Sequence, residues 1–413
     1  MNLQKGFATI LIIGVVVAII AIGTGGYFYI SKQGGERPAE DLTINGKTNA
    51  ENKDKDINEM TVKEEPVTSE STVTPEPILT PKPAPTPPVA EKAPTPQSVC
   101  SRIFAPKYST GPHYTGPLFD AHFHVPSLID YTKVPESHGE FGLNSTTDPI
   151  LDKDITLEKI LCNFGKEKVR GAIGFSIGAG EFLTETLQMA ASVKQRAVDK
   201  LNLFLMPIGF SVASLKNIET SNQGLFDGYG EIALYNPSLQ GVTPSSKKMQ
   251  DIYDVAEKHG LVVMMHPDMN QKGDIETALQ NNPGVNFLLH GFESEDYVTD
   301  LMDKYPNVYF SIDSAVLYPM MGLFMSGPKE VFISRLEQDF NSILNDKLNK
   351  WKGRIKKHPD RFMWGTDRGM KWHYDEAISV LFEEFARSFI GKLDSSVQEN
   401  FAYKNAERLL GKQ

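Results

Sequence analysis

The sequence predicts an α/β protein, a (β/α)8 TIM barrel preceded by a single N-terminal transmembrane helix and a disordered Pro-rich linker. Three observations predict it. An uncharged apolar run fills residues 7–30. Eleven of the chain's 26 prolines fall between Pro38 and Pro96. Beyond Cys100, eight short apolar runs alternate with helix-period segments. The expected division is an anchor over residues 1–33, a linker over 34–100 and a barrel over 101–413.

The first element is the run FATILIIGVVVAIIAIGTGGYFYI, Phe7–Ile30, flanked by Lys5 on one side and Lys32 and Arg37 on the other. About 20 apolar residues span a bilayer core, so one tilted helix fits. Tyr27, Phe28 and Tyr29 stand where an interfacial aromatic anchor is expected. A cleaved signal peptide is the competing reading, but its apolar region is about 7–15 residues and ends at an A-x-A-like site. This run is longer and lacks such a site. Flanking charge barely sets the orientation. The exported character of the rest of the chain makes the expectation a membrane-anchored protein with its barrel on the extracytoplasmic side.

The second element, from about Gly34 to Ser98, is acidic at first and then reads TPEPILTPKPAPTPPVAEKAPTP. It cannot bury enough apolar surface to offset chain entropy, so disorder with local polyproline II is expected. At about 3 Å per residue such a segment is a semi-rigid spacer. Directly behind an anchor, it reads as a stalk.

Overall charge narrows the partners. The chain has 52 acidic and 42 basic side chains and a formal net charge of −10. Phosphate neutralisation needs a basic surface, so nucleic acid is excluded as a partner. Two cysteines exclude a disulfide-framework scaffold and a Cys-rich zinc module. Cys100 and Cys162 can form one disulfide between the stalk end and the first helix; a buried thiol at Cys162 is the other reading.

The third element carries the chemistry. The apolar runs are GPLFDAHFH ending at His124, RGAIGFSIG near Ser176, LFLMPIGF near Phe210, FDGYGEIAL near Ala233, LVVMMH at His266, VNFLLH at His290, VYFSID at Asp313 and RFMWGTD at Asp367. Between them lie amphipathic segments such as TLEKILCNFGKEK, KKMQDIYDVAEKHG and DIETALQNN. Continuous apolar runs bounded by turn signals are the pattern of parallel strands covered on both faces. Eight of them alternating with helices give the (β/α)8 barrel. A doubly wound open sheet is the alternative, but no Gly-rich phosphate loop follows the first strand. Long gaps after strands one and seven emerge on the carboxyl face, where such barrels keep their active sites.

On Asp120-Ala121-His122-Phe123-His124, residues two apart share a face, so His122 and His124 can offer two imidazoles to one metal. Four of the nine histidines, His122, His124, His266 and His290, fall at the carboxyl ends of expected strands. Glu231 and Asp367 fall there too, on strands four and eight. Six metal-competent side chains at one rim are poor core fillers, because buried imidazoles and carboxylates are costly unless paired or metal-bound.

In that order, DAHFH, GYGEI, VVMMHPD, NFLLHGF and FMWGTD resemble the amidohydrolase superfamily, in particular its amidohydrolase-related branch. The closing NAERLLG, Asn405 to Gly411, is similar to that branch's last helix. The resemblance covers roughly residues 116–412. It implies a metal-dependent barrel hydrolase, with non-oxidative decarboxylation as the alternative, and a divalent ion, zinc being expected, one or two per site. It implies metal ligation by His122, His124, His266 and Asp367, with Asp367 also the general base. His290 then either completes a second ion site or polarises the substrate. Glu231 either bridges two ions or holds a ligand in place, and a single ion is slightly favoured. The expected reaction is hydrolysis of an amide, ester or lactone bond in a small-molecule substrate. A membrane-tethered binding or sensing barrel without turnover is the rival from another class.

Other residues take lesser roles. His113, His138, His259, His358 and His373 do not fall at strand ends. Arg368 and His373 are candidates for substrate contact. Asp268 and Glu293 either orient a ligand or are solvated loop carboxylates. Met320, Met321 and Met325 line a pocket or fill core.

Overall fold

The computed structural model describes residues 100–125, 156–176, 183–236, 239, 241–313, 323, 328–369 and 371–412. The expected anchor and almost all of the linker lie outside these residues, as do His138, Met320, Met321 and Met325. Among the described residues no helix is long and apolar enough to cross a membrane.

Eight parallel strands lie in one sheet in sequence order. They are β1 Leu118–His124, β2 Val169–Ser176, β3 Leu201–Leu205, β4 Gly228–Ala233, β5 Val262–His266, β6 Phe287–Leu289, β7 Val308–Ile312 and β8 Phe362–Trp364. The residues after β8 return to β1: Asp367 donates its N–H to the His122 carbonyl at 2.8 Å, and His124 donates to the Arg368 carbonyl at 2.8 Å. That closes the barrel of the expected fold.

The intervening helices are α1 Leu157–Glu167, α2 Leu183–Arg196, α3 Val212–Ser221, α4 Lys247–His259, α5 Lys272–Asn281, α6 Phe292–Glu295, α7 Val298–Lys304 and α8 Lys329–Lys357. After β8 come α9 Glu376–Gly391, α10 Ser395–Glu399 and α11 Asn405–Leu409. Their ends follow local chemistry. Thr156 Oγ1 accepts the Lys159 N–H at 3.2 Å to start α1, as an N-cap does. Gly260, at φ +66°, ends α4 in the left-handed conformation that glycine tolerates. One strand is shorter than its apolar run: β3 stops at Leu205 rather than near Phe210. Pro207 has no N–H for a ladder, and its carbonyl instead accepts from Phe210 at 3.1 Å to make a turn.

Side chains sort into two layers. Phe119, Ala121, Ile173, Phe204, Val262, Met264, Leu288 and Met363 fill the barrel interior, with Ala406 and Leu409 of α11 packed against them. Outward residues such as Phe123, Leu203, Val263, Phe287 and Phe310 pack beneath the helices. Two strands break alternation. The β1–β2 register shifts between Asp120 and Phe123, and the β4–β5 register between Tyr229 and Ile232. An inserted residue turns a strand's side chains. Ala121 and His122 can therefore both face inward, and Glu231 points into the mouth.

The segment before β1 is fastened to α9. Glu384 accepts the backbone N–H groups of Lys107, Tyr108 and Ser109 at 2.6–2.8 Å, and Arg102 pairs with Glu376 and Glu383. Cys100 and Cys162 form a disulfide across a sequence separation of 62. Closing a loop of that length removes denatured-state entropy worth about 4 kcal/mol. Replacing both cysteines by serine should therefore lower the unfolding free energy by about 2–4 kcal/mol in denaturant titration. It should leave the carboxyl rim of the barrel unchanged, because neither sulfur touches it.

Glu219 on α3 gives a second stability prediction. Its side chain is buried and accepts the Tyr229 hydroxyl at 3.0 Å. Burial raises its pKa to about 7, partly offset by that hydrogen bond. A carboxyl with a raised folded-state pKa gives its full stability below the unfolded value of about 4.5 and loses it as pH climbs through 7. Glu219→Gln keeps an acceptor for Tyr229 and cannot ionise. The variant should match the parent at pH 4 and exceed it by about 3 kcal/mol at pH 8, read as denaturant midpoints across pH.

Candidate metal centre

The rim residues reach the mouth in different ways. Met264 faces inward, and two residues on is His266; Leu288 likewise precedes His290. His122 and Glu231 are turned in at the register shifts, and Asp367 comes from the left-handed turn beyond β8. All six expected residues reach one region at the carboxyl ends of the strands, and they form two clusters joined by Glu231.

In the first cluster, His122 Nε2 lies 3.2 Å from His124 Nε2 and 3.3 Å from Asp367 Oδ1, and His124 Nε2 lies 3.1 Å from that oxygen. Glu231 Oε2 sits 3.5 Å from His122 Nε2 and 3.6 Å from His124 Nε2. Donors about 2.0–2.1 Å from a tetrahedral ion stand roughly 3.3–3.4 Å apart. The His122, His124 and Asp367 atoms thus stand at the spacing of three corners of such a tetrahedron, with Glu231 Oε2 close by the two imidazoles. In the second cluster, Glu231 Oε1 lies 2.9 Å from His290 Nε2 and 3.2 Å from His266 Nδ1. His290 Nε2 is buried, and despite its nearness to Glu231 it makes no hydrogen bond. A buried polar atom left in that condition is costly. A divalent ion would satisfy it, so the donor set fits metal in both clusters.

Further groups hold these donors. Asp313, just past β7, places Oδ2 2.5 Å from His122 Nδ1 and 3.4 Å from His290 Nδ1. Glu293, on α6, is 2.8 Å from His266 Nε2. Gly291, at φ +93°, makes room for that pair, since a Cβ there would collide with His266 Nε2. Phe175 packs edge-on against His122, ring centroids 5.0 Å apart, and tilted against His124 at 5.5 Å. Tyr235 packs on His266 at 4.4 Å.

The electrostatics follow from crowding. Burial alone would push His266 down, but Glu231 and Glu293 on its two nitrogens outweigh it and raise its pKa to about 10. Burial also opposes the charge on His122, yet Asp367 and Asp313 hold its pKa well above the usual imidazole range. His290 is lowered by burial and by the neighbouring His122 charge. Glu231 resists its burial because His290, His122 and His266 surround it, and its pKa falls well below the carboxylate range. Asp367 is lowered likewise, with His122 and His124 overcoming burial.

Asp367 has a left-handed backbone, φ +52°. Its neighbours fix it there. Thr366 donates through N–H and hydroxyl to Asp120 at 2.9 and 2.5 Å, and Arg368 binds Glu167 through two nitrogens at 2.8 and 2.9 Å. Such strain persists where surrounding contacts over-determine it, often at functional sites.

The lesser candidates divide. Arg368 is buried on Glu167, away from the mouth, and His373 is buried and accepts the Gly369 N–H at 3.2 Å. Neither is placed for substrate contact: each serves the turn that carries Asp367. Glu293 orients a ligand, whereas Asp268 accepts from its own neighbour Met269 at 2.7 Å. His113 lies 3.0 Å from Ser109 Oγ and His358 3.2 Å from Asp303, both remote from the centre. Asp313 is the residue that sequence reasoning missed. It ends the strand-seven run at the same place where the other strands supply ligands, and that position was the available signal.

A closed parallel barrel with clustered histidines and carboxylates at its carboxyl rim defines a class, the metal-dependent barrel enzymes. Within it, the chain belongs to the amidohydrolase family, whose profile matches residues 120–412. No curated protein gives a significant sequence match. Among solved structures, the chain is similar to a zinc-bound amidohydrolase of Burkholderia multivorans, at 15% identity and a TM-score of 0.45, covering 72% of this chain and 99% of that one. It is also similar to a Pseudomonas putida protein described as a candidate 2-pyrone-4,6-dicarboxylic acid hydrolase, at 14% and 0.47, covering 72% and 98%. A third is the 2,6-dihydroxybenzoate decarboxylase from Rhizobium, at 12% and 0.44, covering 72% and 99%.

Proposed function

We propose that this metal-dependent enzyme hydrolyses an ester, lactone or amide of a small molecule, using two divalent ions, zinc being the expected metal. The supporting observation is Glu231. One of its oxygens stands beside His122 and His124, the pair that meets Asp367, and the other meets His266 and His290. The single ion favoured from sequence would leave one of these donor groups without its cation.

Bound divalent ions supply Lewis acidity, which polarises a carbonyl and makes water acidic enough to attack near neutral pH. The chain's own residues do the rest. Asp367 takes the proton of the attacking water and returns it to the leaving group. Glu231 fixes the spacing of the two donor groups, and Asp313 and Glu293 keep the imidazoles aimed at the mouth. The proposal also keeps the barrel on an extracytoplasmic tether, from the apolar run at residues 7–30 and the Pro-rich linker.

The test is metal-stripped protein reloaded with Zn²⁺ or Mn²⁺ and assayed on neutral esters, lactones and amides. Metal-dependent product formation is expected. Carbon dioxide release from hydroxylated aromatic acids, with no hydrolysis, would replace this reading by decarboxylation. Metal binding without turnover of either kind would favour a tethered sensor.

A further inference from the structure

We propose that Asp313 is a positioning residue shared by both ion sites, a claim that rests on the two-ion reading for the number of sites it acts on. A single oxygen, Oδ2, faces the Nδ1 atoms of His122 and His290, one histidine from each cluster. The two rings meet edge to face with centroids 4.3 Å apart, an arrangement that turns both Nδ1 edges to the same point. His122 Nδ1 hydrogen-bonds to that oxygen, and His290 Nδ1 stands in ion-pair range of it. A carboxylate oxygen can accept from two donors, so hydrogen on Nδ1 of both imidazoles, with Nε2 presented to the mouth, is the arrangement the proposal assigns. Asp313 is 2% exposed. Burying a carboxylate is costly without donors, and the His122 ring supplies one, with the His290 Nδ1 edge beside it.

His266 is wired the other way. Glu293 meets its Nε2, leaving Nδ1 for Glu231. Glu293 therefore serves one cluster and Asp313 serves both. The clusters are joined twice, by Glu231 on the mouth side and by Asp313 on the interior side.

Outer partners of metal-binding histidines are typically worth about 10–100-fold in metal affinity. Asp313→Asn keeps the shape but sets an amide NH₂ against one imidazole N–H. Zinc affinities from chelator competition should fall about 10–100-fold at both sites in this variant, whereas Glu293→Gln should weaken one site only. A wild-type stoichiometry of one ion would remove the two-ion reading, and the Asp313 inference would then predict the same fall at that single site. Unchanged affinity in Asp313→Asn would overturn the inference whatever the stoichiometry. Loss confined to one of two sites would overturn it as well. A check without substitution is ¹⁵N-histidine NMR of the zinc-loaded protein. Hydrogen on Nδ1 of His122 and His290 and on Nε2 of His266 is expected, and hydrogen on Nε2 of either His122 or His290 contradicts the inference.

Discussion

Asp367→Asn should lower kcat by about 10²–10⁴-fold, the usual range for loss of a general base, while KM moves less than about tenfold. Asp367 sits at φ +52°, a conformation that asparagine tolerates nearly as well as aspartate, so the turn is kept. Thr366 and Arg368 remain clasped by Asp120 and Glu167. The amide retains an oxygen toward His122 and His124 but cannot take a proton. Steady-state kinetics with metal content measured on the same sample separate the two roles. A kcat within threefold of the parent would remove Asp367 from the chemistry.

Glu231→Ala should be more damaging. On the mouth side this side chain touches both donor groups, through separate oxygens at 2.9–3.6 Å from four histidine nitrogens. Its removal takes away the anion that balances clustered imidazoles and, on the two-ion reading, one ligand from each ion. The bound zinc should drop from two ions per chain to one or none. Hydrolysis should fall by about 10³-fold or more, since Lewis-acid stabilisation of developing charge is worth several kcal/mol. The fold should survive, because Glu231 lines the mouth and belongs to neither packed layer. Undiminished zinc in a folded variant would rule out the bridging role.

The sequence made the barrel legible because parallel strands covered on both faces leave continuous apolar runs, and all eight runs became strands. The rim donors were legible for the same reason, since each falls at or near the carboxyl end of such a run. Three things were not. The bulges at Ala121–His122 and Gly230–Glu231 arise from pairing with the neighbouring strand, which one segment does not encode. Asp313 looked like an ordinary strand end because its partners come from strands one and six. Arg368, two residues from Thr366 and beside Asp367, read as a rim residue, yet Glu167 of α1 draws it inward. Each of these depends on contacts between residues far apart in the chain.

The most direct test of the shared, Glu231-bridged centre is the zinc content of the full-length protein by elemental mass spectrometry after loading and removal of free ion. Two zinc ions per chain are predicted. Protein that retains none, with a melting temperature unmoved by chelator, would contradict the account.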